Sequence, residues 1–374
     1  MKKLDLFEYI AWRGDLDFRR DPYNGIDNLV FSLLSYIDYS DIAEDGYLTR
    51  AYTLSEVISQ IDQMPPERKH LGAMIPKQII DLAFEAANSV RFGDARVFGY
   101  KNIIDEQKQS QFCAVSFALP SGEICVAYRG TDDTLVGWKE NLNMSFLSVT
   151  SAQETATNYL HDVAAETSAM PIYVCGHSKG GNLAIWASVN SKKQIRDRIV
   201  HIYNNDGPGF CAEFISSQKY RAMAQKITTF IPQSSVVGMF FEHDENRRIV
   251  KCVKGSIMQH DIFSWRIKGT SPVCVESVSR FSKKNDENIK QWLASLEMQE
   301  RREFVDTLYS LLCATGAKTL SDLNKNKIKS ISAFGKALRS LEPSAEENFR
   351  YVIGKMINKK LSLSDLAERK KDEE

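Results

Sequence analysis

Gly176-His177-Ser178-Lys179-Gly180 is the stretch whose residue types and spacing best suit covalent chemistry. An apolar strand pattern, Tyr173-Val174-Cys175, runs into it, and a small-residue helix pattern, Lys179 to Val189, runs out of it. A strand that turns into a helix within one residue lifts the intervening side chain clear of the sheet. Glycines two residues to either side let the two segments pass without a Cβ in the way. The helix behind Ser178 directs free N–H groups and the positive end of its dipole at a developing oxyanion. Ser178 is therefore a candidate nucleophile. The same pentapeptide also suits a plain tight turn, but the apolar run before it, Gly181 and the small-residue helix after it favour the nucleophile.

Gly176 through Ala184 (Gly-His-Ser-Lys-Gly-Gly-Asn-Leu-Ala) resembles the nucleophile turn of the lipase-like α/β-hydrolases, notably the class 3 lipases. Upstream, Tyr128-Arg129-Gly130-Thr131 resembles the Phe-Arg-Gly-Thr/Ser segment of those enzymes, and Trp138 resembles the aromatic residue that follows it. The pattern over about residues 95–270, the size of one domain, is also similar to an uncharacterised bacterial branch of lipase-like hydrolases. The resemblance implies an α/β-hydrolase-like fold and an oxyanion hole built from the backbone amides of Thr131 and Lys179. Without it, Arg129-Gly130-Thr131 reads as a strand end with a salt-bridging arginine. The two readings are compatible.

A serine nucleophile needs a base. In the hydrolase chain order of serine, acid and histidine, the histidines after Ser178 are His201, His243 and His260. His201 sits in the strand pattern Val200-His201-Ile202, and His243 in the charged stretch Glu242-His243-Asp244-Glu245, which reads as a solvated turn. His260 lies in a polar break flanked by Met258, Ile262, Phe263 and Trp265, the partly desolvated loop that a general base requires. His260 is the preferred base, with His243 second, and His177 is read as structural. For the acid, class 3 lipases imply an aspartate in the segment matching Thr229 to Val237, where this chain has Ser234 and Ser235. Asp206, in Asn205-Asp206-Gly207-Pro208, ends the strand after the candidate helix, where other lipases, the pancreatic type among them, carry their acid in a similar Asp-Pro setting. Asp-Gly-Pro-Gly is also strong turn composition. Asp206 is the favoured acid; Asp244, Asp261 and a histidine supported by Ser234 or Ser235 remain alternatives.

The elements that would position these groups alternate. Strand patterns fall at Arg96–Ile104, Phe112–Leu119 and Glu123–Tyr128, with Pro120-Ser121-Gly122 turning the last two into a hairpin. Further strands fall at Ile172–Cys175, Arg198–Tyr203, Ile227–Ile231, Arg248–Val253 and Val273–Val278, separated by helix patterns at Ala152–Thr167, Lys179–Val189 and Phe210–Ala224. That alternation predicts an α/β fold with a mostly parallel central sheet flanked by helices. Three regions follow: a helical N-terminal extension over 1–90, a core over 91–280, and a helical C-terminal region over 281–374. The first has a helix from Asp27 with that residue as its cap, and the last a long helix from Ile289 to Leu312 and a solvated tail at Lys370–Glu374.

Composition excludes several classes. The 374 residues carry 48 basic and 48 acidic side chains, so nothing favours a nucleic-acid partner. Seven cysteines with no C-x-x-C pair read as small, mostly buried residues of a reducing compartment, not as a disulfide frame or a metal site. No signal-peptide pattern and no membrane-length apolar run occur, which predicts a cytoplasmic protein. The expected function is hydrolysis of a carboxylic ester or thioester, with no cofactor or metal. A lipid is one candidate substrate, since Trp138, Phe146, Phe210 and Phe214 would suit an acyl chain. The alternatives are an inactive α/β-hydrolase scaffold that binds a partner, and an acyltransferase or peptidase using the same residues.

Overall fold

Short turns and long crossovers together decide the sheet. The computed structural model describes residues 5–43, 48–65, 69, 71–72, 75–325 and 327–358, so the Lys370–Glu374 tail lies outside the described residues. Its large sheet runs in the order β1 (Tyr52–Thr53), β2 (Arg96–Asp105), β3 (Ser110–Ala118), β4 (Ile124–Tyr128), β5 (Ile172–His177), β6 (Ile199–Asn205), β7 (Ile227–Pro232) and β8 (Asn246–Val250). A small hairpin, β9 (Ile267–Lys268) with β10 (Ser271–Pro272), leads into β11 (Cys274–Val275), which pairs with β8 and completes the nine-stranded sheet.

Four helices lie in the N-terminal part: α1 (Leu6–Arg13), α2 (Gly25–Leu34), α3 (Leu54–Asp62) and α4 (Gln78–Ala87). The crossover helices are α5 (Leu135–Asn143), α6 (Ser151–Glu166), α7 (Lys179–Asn190), α8 (Lys193–Arg198), α9 (Ala212–Ser216) and α10 (Gln218–Met223). The C-terminal helices are α11 (Arg280–Ala294), α12 (Met298–Cys313), α13 (Leu320–Lys325), α14 (Lys327–Arg339) and α15 (Pro343–Asn358).

The sheet is mixed, a correction to the mostly parallel expectation. Neighbours from β4 to β8 are parallel. Those from β1 to β4, and β11 with β8, are antiparallel. Tight turns after β2 and β3 leave no room for the crossover that parallel neighbours need. From β4 to β7 the parallel strands are joined by α5 and α6, then α7 and α8, then α9 and α10.

Strand alternation divides the interior. Cys113, Val115 and Phe117 of β3 and Cys125 and Ala127 of β4 join one core with Leu29, Phe31 and Leu34 of α2. Their neighbours Ala114, Ile124, Val126 and Tyr128 join the other with Ala156, Leu160, Leu183 and Ala184 of α6 and α7. A third cluster gathers Phe146, Leu296, Phe304, Leu311 and Phe349.

Three local expectations need correction. Asn24, not Asp27, caps α2; Asp27 sits at the third helical position, where it completes a capping box. The Asp27 carboxylate is fully buried, 2.6 Å from the buried Arg91 guanidinium and 2.9 Å from Tyr9 Oη, and so ties α1 and α2 to the start of the sheet. The expected 289–312 helix breaks between α11 and α12, because Glu297 starts a new capping box with Glu300 and Leu296 turns into the third cluster. The 210–224 helix likewise breaks at Ser217, whose hydroxyl accepts the Tyr220 N–H.

All seven cysteines are free thiols; Cys113, Cys125, Cys175 and Cys252 are buried, while Cys211, Cys274 and Cys313 are exposed. Among the described residues no helix is long and apolar enough to cross a membrane, and no group of His, Cys, Asp and Glu is arranged to hold a metal ion.

Candidate active site

Ser178 forms the single-residue joint between β5 and α7, at φ 57° and ψ −131°. A non-glycine residue in that region is strained and persists only where its surroundings over-determine it. Here the surroundings are backbone. A Cβ on Gly176 would lie 2.3 Å from the Gly180 carbonyl, and one on Gly180 would lie 2.1 Å from the Tyr128 oxygen. The Ser178 N–H donates to the Asn205 carbonyl at 2.9 Å, and its own carbonyl accepts from Gly181 N–H at 2.9 Å. Ser178 is half-buried, and its hydroxyl makes no hydrogen bond among the described residues.

The neighbouring parallel strand delivers the candidate acid, Asp206. His177 pairs in register with Asn205, so Ser178 and Asp206 leave β5 and β6 at the same level, at their carboxyl ends. Asp206 is fully buried at φ 53°, with its N–H on the Phe230 carbonyl at 2.7 Å. Its Oδ1 accepts from the Ser235 hydroxyl at 2.5 Å and from Gly238 N–H at 3.1 Å. Its Oδ2 lies 2.7 Å from His260 Nδ1. His260 ends a short 3-10 turn, Ser256–His260, with a side chain 28 % exposed. Its loop is held by Gln259, whose amide oxygen accepts from Ser234 N–H and whose backbone carbonyl accepts from the Trp265 indole. The structure thus brings Asp206 and His260 together. No hydrogen bond joins His260 to the Ser178 hydroxyl among the described residues.

Two backbone amides complete the surroundings. A Cβ on Gly130 would lie 3.1 Å from Ser178 Cβ, so the Arg129–Thr131 strand end closes directly on the serine. Neither Thr131 N–H nor Lys179 N–H has a hydrogen-bond partner among the described residues. Arg129 is buried, with Nη2 2.9 Å from Asn102 Oδ1 and 3.5 Å from Asp132 Oδ2. The Lys179 side chain is taken up by the interior, its Nζ 2.9 Å from the buried Glu140 carboxylate and 2.6 Å from Gln111 Oε1. Lys179→Met keeps the backbone amide but leaves Glu140 buried and unpaired. It is expected to cost about 3–5 kcal/mol of stability, read from the shift of the urea midpoint.

The other candidates lie elsewhere. His243, expected in a solvated turn, has a side chain only 1 % exposed, with Nδ1 2.8 Å from Glu245 Oε1. Burial pushes the Glu245 carboxyl up, but hydrogen bonds from His243, Thr229 and Tyr220 outweigh it and hold the pKa at about 2. The alternation of strand and charge had hidden a buried pair. His201 bonds Thr228 Oγ1 at 2.9 Å within the sheet, its pKa lowered by burial and by Arg248 to about 4. Asp261 pairs with Lys254 at 2.6 Å and caps the turn at Phe263. Ser234 donates to Ser279.

Of the aromatics expected to line a cover, Phe146 and Phe210 are buried in separate clusters, Phe214 stacks on Trp186, and Trp138 is 38 % exposed. Sequence reasoning missed Tyr36, whose hydroxyl lies 3.1 Å from His177 Nδ1. A contact across 141 residues leaves no local signal.

Comparison with known proteins adds the following. Two solved structures of the Rhizomucor miehei lipase propeptide complex are similar to the chain. The native form matches with 11% identity and a TM-score of 0.39, over 67% of this chain and 82% of its own. A deletion mutant of the same complex matches with 12% identity and a TM-score of 0.36, over 67% of this chain and 80% of its own. Both are too distant to carry an argument about fold or activity. No curated protein matches the chain. The Mbeg1-like family model matches residues 86–310, more than half of the 374, and the chain therefore belongs to the Mbeg1-like family, a lipase-like family.

Proposed function

We propose that the protein is a serine hydrolase with an α/β-hydrolase-like core over residues 91–280, acting on a carboxylic ester or thioester through an acyl-enzyme on Ser178. One observation carries the reading: a strained, unbonded serine between strand and helix stands level with the buried Asp206 at the adjacent strand end, and Asp206 is paired with His260. In this mechanism His260 donates Nδ1–H to Asp206, which leaves Nε2 basic, and a small loop or side-chain movement brings Nε2 to the hydroxyl. Ser178 Oγ then attacks the acyl carbon, and the Thr131 and Lys179 amides take the oxyanion charge. His260 returns the proton to the leaving group and, in the second half, activates water. No step calls for a cofactor or a metal. Water as acceptor is part of the proposal; an acyltransferase or peptidase would share every earlier step.

A cavity of about 170 Å3 lies beside the acid loop, and its lining mixes Phe210, Phe240, Phe241 and Leu293 with the charged Glu242, Asp286 and Lys290. The lack of a hydrogen bond between His260 and the Ser178 hydroxyl among the described residues favours the second reading, a binding scaffold without turnover. A panel of p-nitrophenyl esters and acyl thioesters, from acetyl to dodecanoyl, separates the two. The hydrolase reading expects a burst of product with at least one ester or thioester of the panel. An absence of turnover across the panel supports the scaffold.

A further inference from the structure

Tyr36, His177 and the backbone carbonyl of His260 form a chain that admits one arrangement of protons. His177 Nε2 lies 2.9 Å from the His260 carbonyl oxygen, and His177 Nδ1 lies 3.1 Å from Tyr36 Oη. Burial, reinforced by the nearby His260, holds the His177 imidazole well below its ordinary pKa, so the ring is neutral. Burial also pushes the Tyr36 hydroxyl up, so it keeps its proton. A carbonyl only accepts, and Nε2 must therefore carry the single ring hydrogen. That makes Nδ1 a lone pair, and the Tyr36 hydroxyl its donor. With the opposite tautomer two lone pairs would face each other at the His260 carbonyl.

We infer that Tyr36 and His177 are positioning residues for His260, fixing its backbone so that its side chain meets Asp206 and stays beside Ser178. The inference rests on the serine-hydrolase reading given above. His177 is the chain neighbour of Ser178, yet its ring lies 4.5 Å from the His260 ring, tilted by 34°, and grips a loop 83 residues away. One side chain thus sets the distance between the candidate nucleophile and its base. Tyr36 extends the same control to the third loop. A Cβ on Gly130 would lie 2.3 Å from Tyr36 Oη, so the strand end that bears Thr131 closes on the same hydroxyl. The loops of the nucleophile, the base and the oxyanion amide all meet around one Tyr36–His177 contact. A neutral His177 also spares the imidazolium that forms on His260 from a like charge 4.5 Å away.

The test measures inactivation by a fluorophosphonate over a range of probe concentrations, which separates the maximal rate from the half-saturating concentration. Tyr36→Phe removes only the hydroxyl and is expected to lower the maximal rate by about 10–100-fold, the scale of a small misplacement of reacting groups, with half-saturation unchanged. His177→Leu is expected to lose about 100-fold, and His177→Gln, whose amide N–H stands in for Nε2–H, to recover most of that loss. Thermal unfolding of each variant controls for collapse of the fold. Folded Tyr36→Phe at the wild-type rate, or equal losses in the Gln and Leu variants, overturns the inference. If the wild type takes no label, the hydrolase reading fails, and the positioning claim is then read from the imidazole nitrogen NMR signals of His177. Nε2–H in the wild type with a tautomer mixture in Tyr36→Phe supports it; Nδ1–H in the wild type overturns it.

Discussion

Ser178→Ala is expected to lower ester or thioester turnover by about 10⁶-fold, the scale on which losing the nucleophile costs a serine hydrolase. The effect should be chemical and not structural. The Ser178 hydroxyl makes no hydrogen bond among the described residues, so its removal orphans no partner. Alanine meets the φ of 57° with the same Cβ that serine carries, so the strain of the turn is unchanged. Steady-state rates measured beside urea denaturation curves check both halves. Turnover within tenfold of wild type, with unchanged stability, would place the chemistry on another residue.

Asp206→Asn is expected to lower turnover by about 10⁴-fold while the protein stays folded. The carboxylate accepts on both sides: Ser235 and Gly238 N–H on Oδ1, His260 on Oδ2. An asparagine that keeps its oxygen toward Ser235 and Gly238 must turn its NH2 toward His260. Two donors then face each other, and the imidazole escapes by moving its hydrogen to Nε2. In that tautomer it has no lone pair for the serine proton. Ser235→Ala removes one of the three contacts to the carboxylate but leaves it on His260, so it is expected to cost only about tenfold, near the worth of one charge-assisted hydrogen bond. Activity that survives Asp206→Asn and disappears in Ser235→Ala would reverse these roles.

The two serine–acid alternatives read from sequence turn out to be parts of one network. Class 3 lipases implied an acid near Ser235, while the resemblance to other lipases pointed to Asp206; the structure places the Ser235 hydroxyl on the Asp206 carboxylate. The strand–turn–helix around Ser178 was legible because each of its requirements is local: a short apolar run, glycines at fixed offsets, and a small-residue helix. Asp206 stands level with Ser178 because β5 and β6 pair in parallel, a register shift between Ile172 and Tyr173 absorbing the extra residue of β6. What stayed hidden was long-range. Tyr36 meets His177 and Arg91 meets Asp27 only after α2 has packed on the sheet. Neither pair repeats with a helix or strand period. The burial of His243 was masked by its charged neighbours, because a carboxylate such as Glu245 reads as solvent-facing until a histidine, a threonine and a tyrosine are seen to bond it. The antiparallel flanks of the sheet were implicit in the two short turns, but the repeating strand–helix pattern that follows outweighed them.

The central claim is that Ser178 is an activated nucleophile. Its most direct test is to treat the intact protein with a fluorophosphonate and map the adduct by mass spectrometry of the whole chain and its peptides. One adduct per chain is expected, on the peptide that contains Gly176 to Gly180, absent from Ser178→Ala and strongly slowed in Asp206→Asn. A folded wild-type protein that takes no adduct, or one that carries it on a different residue, would contradict the account.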